Sequence, residues 1–262
     1  MEEFKKINSD AEQKNKWGET VERYFEAADI TNEEVNFPAI VKYIGEIERQ
    51  TILDYGCGNG RFSRKIEQMK AKKVIGVDKE QSMIDLAQKS NPDSQVEYHA
   101  NPDNSLLFLP ENSVDKVMAN LVFMMSPTKQ EMKRAFQEIQ RVLKKDGLFV
   151  YLVTHSAFIE RGAPDYKNEF GEPFNYFAEE KPYRFILMDS HGQEIDEKFY
   201  DYHYTLSTYI NMAIESGFTI VGVEEVGYSD PGIANKNNVP QEFRRFPQSL
   251  IVIAKKSETL EK

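Results

Sequence analysis

Between residues 51 and 153 short apolar runs alternate with amphipathic helical patterns, and few folds accommodate that rhythm. Strands are expected over residues 51–55, 73–77, 96–99, 114–119 and 148–153. Helices are expected between them, over 61–69, 81–89 and 128–143. Thr128 and Glu131 have the spacing of a capping box, which sets the start of the third helix. Asp146-Gly147 supplies a turn into the fifth strand. Consecutive strand–helix–strand units cross over right-handedly and give a mostly parallel sheet with helices on both faces. The expected fold is therefore α/β and Rossmann-like.

The flanks follow other patterns. Residues 10–29 bring Trp17, Val21, Tyr24, Phe25 and Ala28 near one helical face, and 33–44 carry Val35, Ile40, Val41 and Ile44. Residues 1–46 thus read as an N-terminal helical lid. From His155 to about Tyr204 the alternation stops for longer than an ordinary loop allows. That segment reads as a structured insertion with a hairpin, residues 183–188 against 198–204, around Ser190-His191-Gly192. A helix over 205–216 stops at Gly217, and strands over 219–226 and 250–254 follow. The whole chain, 1–262, is expected to form one domain: lid 1–46, core 47–154, insertion 155–204, and C-terminal helix and strands 205–256.

Charge narrows the function classes. The 33 basic and 43 acidic residues leave a formal net charge of −10, a field that repels phosphate backbones. The basic residues are scattered, so nucleic acid is disfavoured as a substrate. No apolar run approaches the roughly 20 residues of a membrane-spanning helix, and residues 1–10 lack a secretory signal. With the lone cysteine, Cys57, this leads to the expectation of a cytoplasmic protein without a membrane partner. Four dispersed histidines carry no metal-ligand spacing.

The chemistry starts where the first strand breaks, at Asp54-Tyr55-Gly56-Cys57-Gly58-Asn59-Gly60. Glycines at a strand-to-helix turn let the backbone approach a ligand, and the following helix start offers free N–H groups. Close strand–helix packing alone is the alternative reading of such glycines. Asp78 ends the next strand, where an acid can accept both hydroxyls of a ribose or else cap a helix. The spacing is Gly-x-Gly-x-Gly with Asp54 two residues before it, not the Gly-x-Gly-x-x-Gly of dinucleotide binders.

The stretch Ile52 through Gly60 resembles the first motif of class I S-adenosylmethionine-dependent methyltransferases. Val77-Asp78 with Ser82-Met83 resembles the second, whose acid holds the ribose. Pro102-Asp103-Asn104 resembles the third, whose acid meets the adenine amino group, with Asn101 a rival if the register slips. Ala119-Asn120-Leu121 resembles the fourth-strand end that lines the cofactor's methionyl part. The resemblance implies S-adenosylmethionine as cofactor and a seven-stranded sheet whose last strand is antiparallel. Its implied cofactor residues are Asp54, Gly56, Gly58, Asn59, Gly60, Asp78, Met83, Asp103, Asn104, Asn120 and Leu121. Met124 and Met125 depart from relatives that carry a histidine or aromatic residue after the Asn-Leu pair.

His155-Ser156-Ala157-Phe158 and Tyr202-His203-Tyr204 resemble pocket segments of a bacterial small-molecule branch of the family. His155 and His203 are candidates for a general base, since histidine titrates near 6.5, though loop histidines also serve as caps. Trp17, Tyr24, Met124 and Phe158 are candidates for acceptor contacts, each with plain packing as its alternative. Tyr166, Phe174, Tyr176, Phe177 and Tyr183 would extend an aromatic pocket or form a core of the insertion. The expected activity is methyl transfer to a small acceptor, through oxygen or nitrogen, aromatic or heterocyclic. An RNA or protein methyltransferase, or a non-catalytic S-adenosylmethionine binder, is the alternative.

Overall fold

The computed structural model describes residues 31–158, 166–167, 175–185, 199–236, 239, 241 and 243–257. The lid helix expected over 10–29, with Trp17 and Tyr24, lies outside them, as do Phe174 and the turn of the insertion hairpin.

A π-helical turn, Asn32–Asn36, runs directly into α1 (Phe37–Ile44). Then β1 (Thr51–Tyr55), α2 (Arg61–Gln68), β2 (Lys73–Asp78), α3 (Gln81–Ser90), β3 (Glu97–Ala100) and β4 (Val114–Asn120) alternate as the pattern requires. Next come α4 (Lys129–Val142) and β5 (Leu143–Thr154). The Thr128 hydroxyl caps α4 by accepting the Glu131 N–H at 3.2 Å. The strand expected from residue 148 instead begins at Leu143. Val114 pairs with Leu143 and Lys116 with Leu148, so a register irregularity absorbs Asp146-Gly147 inside the strand span.

Strand order in the main sheet is β3-β2-β1-β4-β5-β10-β9, with β9 at Phe218–Val226 and β10 at Ser249–Lys256. Strands β1 to β5 pair in parallel, and β10 runs antiparallel to both β5 and β9. The seven strands and the reversed last strand are those expected.

Strand alternation divides the core into two layers. Leu53, Tyr55, Val117, Phe149, Tyr151 and Val252 face α4 residues Phe136 and Ile139. Tyr209 and Met212 of α5 (Leu206–Glu215) join that layer. Ile52, Met118, Val150, Leu152 and Ile251 face Ile40 and Ile44 of α1, Ile66 of α2 and Ile84 of α3. Helices thus cover both faces.

The insertion holds β6 (Tyr166–Lys167), β7 (Lys181–Phe185) and β8 (Phe199–His203), a three-stranded antiparallel sheet. A short helix, α6 (Pro231–Lys236), lies in the loop between β9 and β10.

Candidate active site

Strands β1, β2 and β4 bring their carboxyl ends to one edge, where open α/β sheets bind ligands. The loop after β1 is latched to β2. Gly56 and Cys57 both donate their N–H to the Val77 carbonyl at 2.8 Å, and Gly58 donates to Asp78 Oδ2 at 2.8 Å. Asp78 Oδ1 accepts the Glu80 N–H at 3.0 Å. A carboxylate has about four lone-pair positions, so these two bonds leave acceptor capacity for a diol.

The loop glycines answer to different demands. Gly56 sits at φ 76°, and a Cβ there would fall 2.3 Å from a Val122 methyl, so protein packing requires its bareness. Gly58 sits at φ 52°, and a Cβ there would meet nothing within 4 Å. Its bareness serves the backbone turn and leaves the loop surface open to a ligand.

Asp54 is buried at the base of the loop and accepts the Ser63 hydroxyl at 2.5 Å. Burial raises its carboxyl to about 7, against the Ser63 bond, which favours the charged form. Burial also pushes Asp78 up to about 6, opposed by the N–H groups of Glu80 and Gly58.

At the other wall three asparagines meet. Asn32 Oδ1 accepts Asn36 Nδ2 and Asn120 Nδ2, each at 3.0 Å, and Asn36 Oδ1 accepts the Ser249 hydroxyl at 3.1 Å. These walls enclose a cavity of about 380 Å³.

Of the residues expected from sequence, Asp54, Gly56, Gly58, Asn59, Asp78, Met83, Asn104, Asn120 and Leu121 line this cavity. Gly60 does not; it starts α2 at φ 72° and packs beneath the Tyr98 phenol. Asp103 is also outside the lining. It is exposed and accepts the Ser105 N–H at 3.1 Å, whereas buried Asn101 reaches the cavity in its place. The slip follows from β3 extending to Ala100, which sets Asn101 at the strand end. Met124 points into the core, 3 % exposed, and its neighbours Val122 and Met125 line the cavity instead.

Neither histidine lines the cavity. His155 is buried and donates from Nε2 to Glu225 at 3.1 Å, and the Phe158 ring packs at a tilt against both it and Phe246. Nε2 of His203 donates to the Tyr176 carbonyl at 2.8 Å, and burial lowers its pKa. The insertion contributes Tyr202 to the cavity, the residue next to His203. Alternation along β8 turns successive side chains opposite ways, so only one of the two can face the ligand.

Asn32, Arg61 and Phe62 line the cavity without having been singled out, whereas Tyr202 lies in a segment already likened to pocket segments and Glu131 was expected only as a helix cap. For Asn32 a signal existed. Positions 32, 36, 40 and 44 share one helical stripe, and Asn32 and Asn36 are polar residues continuing the buried apolar row of Ile40 and Ile44. Among the described residues no His, Cys, Asp and Glu group could hold a metal, and no helix is long and apolar enough to cross a membrane.

A methyltransferase domain family matches residues 53–151, the span of the loop, Asp78 and Asn120. An S-adenosylmethionine-dependent methyltransferase from Mesorhizobium loti superposes with a TM-score of 0.64 at 27% identity, over 83% of this chain and 96% of that one. This protein is a class I S-adenosylmethionine-dependent methyltransferase. N-demethylindolmycin N-methyltransferase of Streptomyces griseus is 29% identical to this methyltransferase over 175 residues, 67% of this chain and 72% of the relative. A Listeria monocytogenes structure, described as a putative S-adenosylmethionine-dependent methyltransferase, gives a TM-score of 0.64 at 24% identity, covering 85% and 97% of the two chains. The cofactor is accordingly S-adenosylmethionine, and the residues present fit it: a bare loop at Gly58, a diol-capable carboxylate at Asp78 and an unpartnered carbonyl at Asn120.

Proposed function

We propose that this methyltransferase acts on a small-molecule acceptor through a nitrogen that is neutral at the reaction pH. The observation that carries the reading is the make-up of the cavity. No histidine lines it, Lys79 and the phenols of Tyr55 and Tyr202 stand beside its carboxylates, and Leu121, Val122 and Met125 give it an apolar stretch. Bound S-adenosylmethionine would supply an electrophilic methyl group on a sulfonium. The chain's task is then to align a nucleophile and exclude water. A neutral amine already carries its lone pair and needs no base, unlike a hydroxyl. Asp78 would hold the ribose, the Gly56–Gly58 backbone would flank the donor, Met83 and Asn101 would bound the adenine, and Tyr202 would face the acceptor.

The N-methyltransferase of S. griseus, whose name carries a small-molecule substrate, supports the same acceptor class. So does a second relative, phosphoethanolamine N-methyltransferase 3 of Arabidopsis thaliana, 27% identical over 72% of this chain and 39% of that one. The charge of −10 and the acidic lining, with Asp78, Glu80 and Glu131, oppose a phosphate backbone. The test is label transfer from methyl-labelled S-adenosylmethionine to panels of aromatic and heterocyclic amines, the matching alcohols, bulk RNA and protein extract. Label in amines alone is the expected result; label confined to RNA or protein would overturn the reading.

A further inference from the structure

The cavity wall that carries Asn101 and Asn104 belongs to the loop between β3 and β4, and α4 holds that loop by a fork of hydrogen bonds. The Leu106 N–H donates to Glu138 Oε2 at 2.8 Å, and the Leu106 carbonyl accepts Arg141 Nη2 at 2.8 Å. Arg141 Nη1 reaches the Leu109 carbonyl at 3.0 Å. Nε and Nη2 of Arg141 also donate to the two Glu138 oxygens, each at 2.9 Å. One ion pair, its members three residues apart on α4, thus grips both backbone groups of Leu106. At its other end the loop starts on the Asp78 carbonyl, which accepts the Asn101 N–H at 2.8 Å. Between these ties Asn104 holds φ 61°, accepts the Tyr55 hydroxyl at 3.0 Å and donates its N–H to the Asn101 carbonyl at 2.9 Å. Apolar packing alone does not set this path. Leu106 and Leu109 are buried, but Leu107 between them is 80 % exposed. Burial of a leucine is non-directional and fixes its depth, whereas hydrogen bonds also fix how the backbone is turned.

We propose that Glu138 and Arg141 are positioning residues for the methyl donor, which set the Asn101–Asn104 wall through the backbone of Leu106. Neither lines the cavity; both act 32 to 35 residues further along the chain than the backbone they hold. The role calls for a guanidinium. Its planar fork meets a carboxylate with two N–H groups and keeps others for the two leucine carbonyls, an arrangement that a single ammonium does not reproduce. The proposal needs the donor in the cavity and does not depend on the nature of the acceptor.

The test is a double-mutant cycle between Arg141→Lys and Asn101→Ala, read by calorimetric titration with S-adenosylhomocysteine. Arg141→Lys keeps the charge and loses the fork, and it is expected to weaken binding about fivefold. Asn101→Ala is expected to weaken it about tenfold. The double variant should bind no more than about 1.5-fold worse than Asn101→Ala alone, because the fork acts through the wall that Asn101 has already left. Glu138→Gln, which still offers an oxygen to the Leu106 N–H, is expected to lose about twofold with the same coupling, and it replaces Arg141→Lys should that variant not fold. A role confined to stability would lower the melting temperature and leave the affinity of the folded protein as it was. Undiminished affinity in either single variant, or losses that multiply in the double variant, overturns the proposal. Binding of S-adenosylhomocysteine by the unaltered protein keeps the cofactor assignment separate from that outcome.

Discussion

At the scale of single residues, glycines that look alike in the sequence can be told apart by what a methyl group would strike. Gly56→Ala meets Val122 as well as an unfavourable φ, so a loss of stability of about 3 kcal/mol or more is expected. Gly58→Ala faces only the backbone term, about 1–2 kcal/mol, yet intrudes on the ligand side. Thermal melts with and without S-adenosylhomocysteine check this pair: Gly56→Ala should lower the apo melting temperature more, and Gly58→Ala should lose more of the ligand-induced rise. Asp54 supports a pH prediction. An unfolded aspartate titrates near 3.9, whereas the folded Asp54 keeps its proton up to about 7. The folded state binds more protons between those values, so stability falls as pH rises from about 4 to about 7 and then levels off. Asp78, raised to about 6, adds a parallel decline that ends earlier. Asp54→Asn keeps an acceptor for Ser63 and removes one titration; its melting temperature should decline less across that range, and an unchanged decline would locate the effect elsewhere.

At the scale of elements, the insertion is fastened to the core through the starts of two helices. Glu180 accepts the Lys129 N–H at 2.7 Å, at the first residue of α4. Glu179 accepts the Thr205 N–H at 2.8 Å and hydrogen bonds from the Thr205 and Thr208 hydroxyls, and it pairs with the Lys129 ammonium. The Tyr204 hydroxyl adds a bond to the Ser126 carbonyl at 2.6 Å, on the cavity rim. Burial raises the Glu179 carboxyl, but the Lys129 and threonine bonds outweigh it and hold the group at about 2. Its stabilisation is therefore present above the unfolded value near 4.3 and lost as pH falls toward 2. Glu179→Ala should cost about 1–3 kcal/mol at neutral pH, read from denaturant midpoints, and little at pH 2.5. None of this strap was legible beforehand, because Glu179 and Glu180 find their partners across about 26 to 51 residues and no local period records such bonds. The α4 capping box was legible since its two residues are three apart. Thr128→Ala should cost about 1 kcal/mol by the same measurement.

At the scale of the molecule, strand count and direction could be read from the chain, because hydrophobic alternation and crossover handedness are local rules with global results. The cavity edge was legible for the same reason: Asp54, Gly56, Gly58, Asp78 and Asn120 all sit at or beside ends of strands that the pattern defines. What escaped were Asn32, a side chain delivered from a distant segment, and the choice between Asn101 and Asp103, which turns on one residue of strand length. Ligand binding should be visible globally. S-adenosylhomocysteine at 100 times its Kd is expected to stabilise the fold by about 2.7 kcal/mol, measured as a shift in denaturant midpoint, and a smaller shift would mean binding to the unfolded chain as well.

The Asn36–Ser249 bond joins positions 213 residues apart, and Ser249 opens β10, which completes the sheet between β5 and β9. During synthesis Asn32 and Asn36 leave the ribosome long before the Ser249 hydroxyl that bonds to Asn36. The asparagine wall is therefore completed only when β10 pairs with β5 and β9, so a change that loosens this strand is felt at a wall built from the other end of the sequence.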